Sequence, residues 1–432
     1  MTNRSDPSGE DSLIARYFKP LATDPGAFGL VDDAAILKAL GEDIVVTTDA
    51  VVEGVHFLPD DPPDTVARKA LRVNLSDLAA KGARPAGFVL TLALRRADDS
   101  WLAAFAHGLG EDARSFGCPL LGGDTVSTPG PLTVSITAFG RVPAGQMVPR
   151  TGARPGDRVM VTGTIGDAAI GLDILTGGPA ASALADDAAA KAMLIGRYRV
   201  PQPCNALAEA IRAHASSAMD VSDGLAGDLG KLCAASRVSA LIDVPRIPIS
   251  AAAQRVLAHR GVDIEAMISG GDDYEILCTV PQARCAALAE AAAQVGVALT
   301  PIGSVIAGSD APRFLDGEGR DLPLARRSYS HSRTNPQKQR FFTGKACEIE
   351  PIFPLPALRR RSNFGNLPAD LRPPFGQGGA AFCVPANGRG DNRQYKNLRE
   401  CNDSSMVDRA LRSAFYRLRD LGDDVGACRR RR

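Results

Sequence analysis

The sequence predicts an α/β (α+β) protein of two domains, residues 11–149 and 150–331. A flexible stretch at 1–10 precedes them and a basic tail at 332–432, expected to be disordered, follows. Three observations carry this. A length of 432 residues suits two or three domains. With 45% hydrophobic and 23% charged residues, the composition is that of a soluble globular chain. Apolar runs of strand length alternate with stretches of helical periodicity in two blocks, separated near Val148–Pro155.

In the first block, Ser12–Phe18 reads as a short helix with Leu13, Ile14 and Phe18 apolar. Ala34–Leu37 and Ile44–Thr48 read as strands. Thr65–Ala83 is a helix, because Val66, Leu71, Leu75 and Leu78 recur at helical spacing. Gly87–Leu94 is an apolar strand. Ser100–Phe116 is a helix with Leu102, Phe105, Leu109 and Ala113 on one side, and Leu132–Arg141 alternates as a strand. In the second block the strands are Asp157–Thr162, Ala218–Val221, Ala240–Val244, Tyr274–Val280 and Ile302–Ala307. The helices begin at Asp167 after the Gly163–Gly166 turn, span Pro201–Ala215, Leu225–Ala235 and Ala283–Gly296, and close at Ile264–Ile268.

Charge is unevenly spread. The chain has 50 Lys/Arg and 49 Asp/Glu, but residues 334–432 alone hold 19 against 10. The globular part is therefore acidic, which argues against nucleic-acid binding there. An acidic protein that handles phosphates needs a divalent cation between the two negative partners. Nine cysteines without a CxxC pair resemble neither a disulfide framework nor a zinc site, so a cytoplasmic location is expected. No apolar N-terminal stretch suits a signal peptide, and no run of about 18 apolar residues predicts a membrane span.

Aspartates cluster beside apolar runs: Asp32-Asp33, Thr47-Thr48-Asp49 at a strand end, Asp77 inside a helix, and Asp124 in the glycine turn Gly122–Thr125. Two more clusters are Asp220-Val-Ser222-Asp223-Gly224 and Gly270-Gly271-Asp272-Asp273-Tyr274-Glu275. Any one of them has the ordinary explanation of a turn aspartate beside glycine. Six together place several carboxylates at packed strand edges, where hard cations with oxygen ligands relieve the repulsion. Magnesium prefers this donor set, and five histidines are too few for a His-rich zinc site. Gly122-Gly123 allows backbone amides to approach phosphate oxygens. No GxxxxGK[ST] loop and no GxGxxG with HRD occurs, so any ATP is held by another scaffold. His56 is either a loop histidine satisfied by backbone or a donor to a substrate phosphate.

These segments resemble the bacterial thiamine-monophosphate kinase family, of the aminoimidazole-ribonucleotide-synthetase-like superfamily. The match runs through LIARYF (13–18), DDAAIL (32–37), TTDAVVEGVHF (47–57), NLSDLAAKG (74–82), LGGDT (121–125), RTGARPGD (150–157), VTGTIGD (161–167), DVSDGL (220–225) and SGGDDYEI (269–276). The resemblance implies an N-terminal domain that binds ATP and metal and forms a homodimer, and a C-terminal α/β domain. It implies several Mg2+ ions held by Asp32, Thr47, Thr48, Asp49, Asp77, Asp124, Asp220 and Asp223. It further implies ATP contacts at Gly123, Arg150 and Ser222, and thiamine monophosphate contacts at His56 and Asp272. Three positions depart from the family pattern: Val31 where Gly is usual, Asp272 where Glu is usual, and Arg326–His331 where a tryptophan-containing segment is usual.

The implied reaction moves the ATP γ-phosphoryl group onto a phosphate that is already ionised, since a phosphate second pKa is about 6. Many carboxylates and no strong general base is the pattern this requires. Two rivals differ in kind. One is another ATP-dependent enzyme of the superfamily; selenophosphate synthetase needs a reactive residue near the N-terminus, whereas the first cysteine here is Cys118. The other is a non-catalytic nucleotide- or thiamine-binding protein.

Overall fold

A computed structural model describes residues 13–30, 35, 37–259 and 262–324. The chain divides into two units, Met1–Ala346 and Cys347–Arg432, and every described residue belongs to the first. The expected flexible N-terminus, two residues of the strand expected at 34–37 (34 and 36) and the tail from 332 lie outside the described residues.

Strands β1 (Glu42–Val52), β2 (Arg84–Leu94), β3 (Leu120–Ser127) and β4 (Thr133–Pro143) form a four-stranded sheet in the order β1-β4-β2-β3. β4 runs antiparallel to both neighbours, with Ala138 opposite Thr47 on one side and Phe88 on the other. β2 and β3 are parallel, Leu90 beside Gly123. Along β4 every second residue is buried, including Val134, Ile136, Ala138 and Val142. That period of two leaves one face for the core. Helix α1 (Pro63–Ala80) packs on that face, and α2 (Asp99–Ser115) packs on α1. Pro63 sits in the first turn of α1, where a missing N–H costs nothing. Asp98 caps α2, accepting from the Trp101 N–H at 3.0 Å.

α1 is buried almost all round, its charged Lys69 and Arg72 included. Arg72 is neutralised by Asp112 of α2, Nε to Oδ2 at 2.5 Å and Nη2 to Oδ1 at 2.9 Å. Arg68 joins the same carboxylate at 2.9 Å. The other side of α1 meets the second half of the chain. There β5 (Arg158–Thr162), β6 (Ser217–Asp220), β7 (Ser239–Asp243), β8 (Ile276–Val280), β9 (Leu299–Ile306) and β10 (Arg313–Leu315) form a six-stranded sheet ordered β10-β7-β9-β5-β8-β6. Only the β10–β7 pair is parallel. The helices are α3 (Asp167–Leu175), α4 (Pro179–Ala183), α5 (Ala188–Arg199), α6 (Ala208–His214), α7 (Leu225–Ser236), α8 (Ala251–Leu257), α9 (Ile264–Ile268) and α10 (Cys285–Gln294). β8 is buried throughout and feeds two cores by alternation. Leu277 joins Leu225, Leu229 and Leu232 of α7 on one side. Ile276, Cys278 and Val280 join Ile211, Leu288, and Ala79 and Ala80 of α1 on the other.

The sequence expectations differ from the structure at several points. Gly122–Thr125, expected as a turn, lies inside β3. Gly123 is there for close packing: a Cβ on it would stand 2.0 Å from the Leu90 carbonyl oxygen. Thr47–Asp49 lies within β1, not at its end, because β1 stays paired with β4 as far as Val52. The helix expected from Pro201 begins at Ala208 after a 3-10 turn at Asn205–Leu207. α4, α5, α8 and β10 were not expected; the Ala-rich α5 has too little apolar contrast to signal a buried face. Cys118, Cys204, Cys233, Cys278 and Cys285 are free thiols. Among the described residues no helix is long and apolar enough to cross a membrane.

Candidate active site

α1 organises the site by bonding to β1 and to the loop before β8. Its Asn74, fully buried, accepts the Asp49 N–H at 3.1 Å and donates to the Ala70 carbonyl at 3.0 Å. Its Asp77 accepts the Thr47 hydroxyl at 2.5 Å. Its Ser76 donates to the Tyr274 carbonyl at 3.2 Å, and its neighbour Lys81 donates to the Ala218 carbonyl at 2.7 Å. One helix thus joins β1 of the first sheet to the ends of β6 and β8 of the second.

At the end of β6, Asp220 leads into the Val221–Gly224 turn. Buried Asp228, one turn into α7, accepts the N–H groups of Ser222 at 3.0 Å and Asp223 at 2.9 Å. Lys231 pairs with both Asp223 and Asp228. The glycine-rich loop before β8 is zipped onto this turn: Asp272 N–H bonds the Ser222 carbonyl at 2.9 Å, and Tyr274 N–H bonds that of Val221 at 2.8 Å. A Cβ on Gly271 would lie 2.5 Å from the Ser222 carbonyl oxygen, so only glycine permits this approach. Asp272 and Tyr274 hold φ of +73° and +52°, a left-handed backbone that non-glycine residues adopt at a cost of about 1 kcal/mol or more. Adjacent Asp273 turns inward and accepts the Gly166 N–H with both oxygens, at 3.0 and 2.9 Å, which fixes the start of α3.

These elements enclose a cavity of about 430 Å³. Asp49, Asp77, Asp220, Asp223, Arg150 and Ser222 line it together with His56, Asp272, Tyr198 and Tyr274, and Ala168, Ala169 and Leu172 of α3 add apolar surface. Two of these carboxyls, Asp49 and Asp220, are raised. Burial, and then the charges of Asp77 and Asp223, push the Asp49 carboxyl up to about 7, although part of it is open to solvent in the cavity. Asp220 is raised well above the carboxylate range by burial and by Asp77, Asp228 and Asp49, against a Ser76 hydrogen bond that lowers it. Burial and nearby Arg150 lower Lys81.

His56 Nδ1 accepts the Val52 N–H at 3.0 Å, so a neutral ring carries its proton on Nε2. His56 is thus held by backbone, as one of the two readings of the sequence has it, and it also lines the cavity.

Of the thirteen residues singled out from the sequence, the cavity gathers Asp49, His56, Asp77, Arg150, Asp220, Ser222, Asp223 and Asp272. Thr47 stands behind Asp77. Thr48 faces the other side of β1, bonded to Thr137 at 3.0 Å and the Ile136 carbonyl at 3.2 Å, because successive strand residues alternate. Gly123 and Asp124 do not line the cavity: β1 and β3 are opposite edges of their sheet. Asp32 lies outside the described residues. Sequence reasoning missed Lys69, Tyr198 and Asp228. Lys69 carried a signal, a charge at helical spacing between Val66 and Val73 on the packed face of α1.

Among the described residues no three His, Cys, Asp or Glu side chains stand close enough to hold an ion by themselves. The carboxylates are instead spread around a shared space, where burial first and neighbouring carboxylates second raise Asp49 and Asp220. This donor set suits an ion of the magnesium type, which takes one or two carboxylates and completes its shell with water and substrate phosphates.

Two family models match the chain: AIR synthase related protein, N-terminal domain, over residues 31–142, and AIR synthase related protein, C-terminal domain, over 154–313. The two sheets and the cleft lined from both halves thus define a protein of the AIR synthase related class. A thiamine-monophosphate kinase of Caulobacter vibrioides is 43% identical over 331 residues, 75% of this chain and 91% of that one. The solved thiamine-monophosphate kinase of Stenotrophomonas maltophilia K279a superposes with a TM-score of 0.63 at 38% identity, over 72% of this chain and 96% of that one. AaThiL complexed with AMPPCP and TMP superposes with a TM-score of 0.59 at 28% identity, over 71% and 97%. The chain belongs to the thiamine-monophosphate kinase family.

Proposed function

We propose that this enzyme transfers the ATP γ-phosphoryl group to thiamine monophosphate, giving thiamine diphosphate and ADP, with several Mg2+ ions held at the acidic wall of the cavity. The carrying observation is that wall: four aspartates in one cavity with Arg150 and His56, with two of the four, Asp49 and Asp220, raised by burial and by their neighbours. Relatives named thiamine-monophosphate kinase, and the AaThiL complex with AMPPCP and TMP, support the assignment.

The acceptor phosphate is ionised near neutral pH, so no residue need act as a strong base. The task is to bring two polyanions into line and hold them. Magnesium, if held by these carboxylates, would supply neutralisation of the phosphate charge. Asp49, Asp77, Asp220 and Asp223 are the ligands in this reading; Asp32 and Asp124, with Thr47 and Thr48, are further candidates. Arg150 at the cavity rim gives ATP phosphates a planar pair of donors. Gly123 and Ser222 are the other assigned ATP contacts. His56 and Asp272, in the same cavity, contact thiamine monophosphate in this reading.

The chain acts as a cytoplasmic homodimer in this proposal. Val46 and Val126, exposed at 57% and 40% on the two edge strands of the first sheet, are consistent with a covered face. The deciding experiment incubates purified protein with ATP, thiamine monophosphate and magnesium and separates products by chromatography. Acceptor-dependent thiamine diphosphate and ADP in equal amounts are expected. ATP binding to folded protein without thiamine diphosphate would refute the kinase assignment in favour of another acceptor or a non-catalytic binder.

A further inference from the structure

Lys69 of α1 is 1% exposed, and its ammonium is fully engaged. Nζ donates to the His56 carbonyl at 2.8 Å and to Asp272 Oδ2 at 3.0 Å, and lies 3.8 Å from the centroid of the Tyr198 ring. The Tyr198 hydroxyl donates to the same His56 carbonyl at 3.3 Å. An ammonium has three hydrogens, and here each has a partner. One buried charge therefore joins the loop after β1, the glycine-rich loop before β8, and α5. The first two of these carry His56 and Asp272, and the Asp272 backbone is in the left-handed region, which needs a constraint to persist.

We propose that Lys69 is a positioning residue that sets His56 and Asp272 at the spacing the phosphoryl acceptor requires, without touching substrate itself. The inference rests on the assignment of those two residues to thiamine monophosphate. Asp272 reaches Lys69 by its own short side chain, so the ammonium fixes where this carboxylate stands in the cavity. Lys69 bonds neither Ser222 nor Arg150, the residues assigned to ATP; it reaches Asp272 through the side chain, whereas the Ser222 turn is held by the Asp272 backbone N–H. Loss of Lys69 is thus expected to separate the two substrates kinetically.

The test compares wild type, Lys69→Met, Asp272→Asn and the double variant, with both KM values and kcat for each. In Lys69→Met the KM for thiamine monophosphate is expected to rise about tenfold to a hundredfold, the worth of one charged hydrogen bond, while the KM for ATP stays within about twofold. A purely structural lysine would instead lower kcat through a smaller active fraction and leave both KM values alone, and that result overturns the proposal. If Lys69 works through Asp272, the double variant has the KM of Asp272→Asn alone; full additivity overturns it. Should Lys69→Met fail to fold, the double variant buries no unpaired charge and still gives the comparison with Asp272→Asn. Should wild type make no thiamine diphosphate, the kinase assignment fails instead. Lys69 is then judged by calorimetric binding of thiamine monophosphate, where equal affinity in wild type and Lys69→Met refutes it.

Discussion

Asp49→Asn is expected to abolish turnover and yet stabilise the metal-free protein. The Asp49 carboxyl stands at about 7 in the folded state against an ordinary 3.8, raised by burial and by Asp77 and Asp223. A folded-state value above the unfolded one means that the folded chain binds the extra proton between those pH values. The contribution is therefore fully favourable below about pH 4 and is lost as pH rises through 7. A shift of about three units corresponds to about 4 kcal/mol for an enclosed group. Asp49 is partly open to solvent, so screening reduces this to about 1–2 kcal/mol. That is about 2–8 °C in Tm for a domain of this size. Calorimetry of EDTA-treated protein at pH 5 and pH 8, with and without magnesium, measures it. Wild type should lose Tm between the two pH values and regain it with magnesium. The Asn variant should have a shallower pH dependence, a higher metal-free Tm at pH 8, and a smaller gain from magnesium. An Asn variant less stable than wild type at pH 8 without metal would show that Asp49 is not repelled by its neighbours, and would remove the physical basis for an ion site there.

Two further perturbations test the frame that positions the site. Asp112→Asn leaves buried Arg72 without its carboxylate, and Arg68 with Glu111 alone, and should cost about 3 kcal/mol or more, read from the urea midpoint; an unchanged midpoint would mean that the ion cluster does not stabilise α1 against α2. Gly271→Ala drives a methyl against the Ser222 carbonyl and should separate the Val221–Gly224 turn from the loop that carries Asp272, lowering kcat/KM for both substrates at least tenfold in folded protein, with the effect checked by steady-state kinetics. Wild-type kinetics for the Ala variant would show that the two loops need not touch.

Much of the fold was legible because local patterning and tertiary demand agree. The alternation in Leu132–Arg141 became β4, and the Leu71, Leu75 and Leu78 stripe became α1. The weak points were short or low-contrast segments such as α5, whose burial comes from neighbours and not from its own periodicity. Gly122-Gly123 misled for a related reason: glycine signals either a turn or a close approach, and which applies depends on the strand alongside.

The sequence by itself determined the chemistry on offer. Its aspartates at strand and turn positions, its lack of a known nucleotide loop and the order of its motifs define an acidic, phosphate-handling family member. Only the tertiary structure decided which of those residues meet. Asp49, Asp77, Asp220 and Asp223 share a cavity because α1 is bonded to both sheets, while Thr48 and Asp124 are turned or carried away by strand alternation and sheet order. Lys69 has no motif of its own to mark it. Its role follows from three segments far apart in sequence closing on one buried ammonium, and such convergence is a property of packing, which no local pattern encodes.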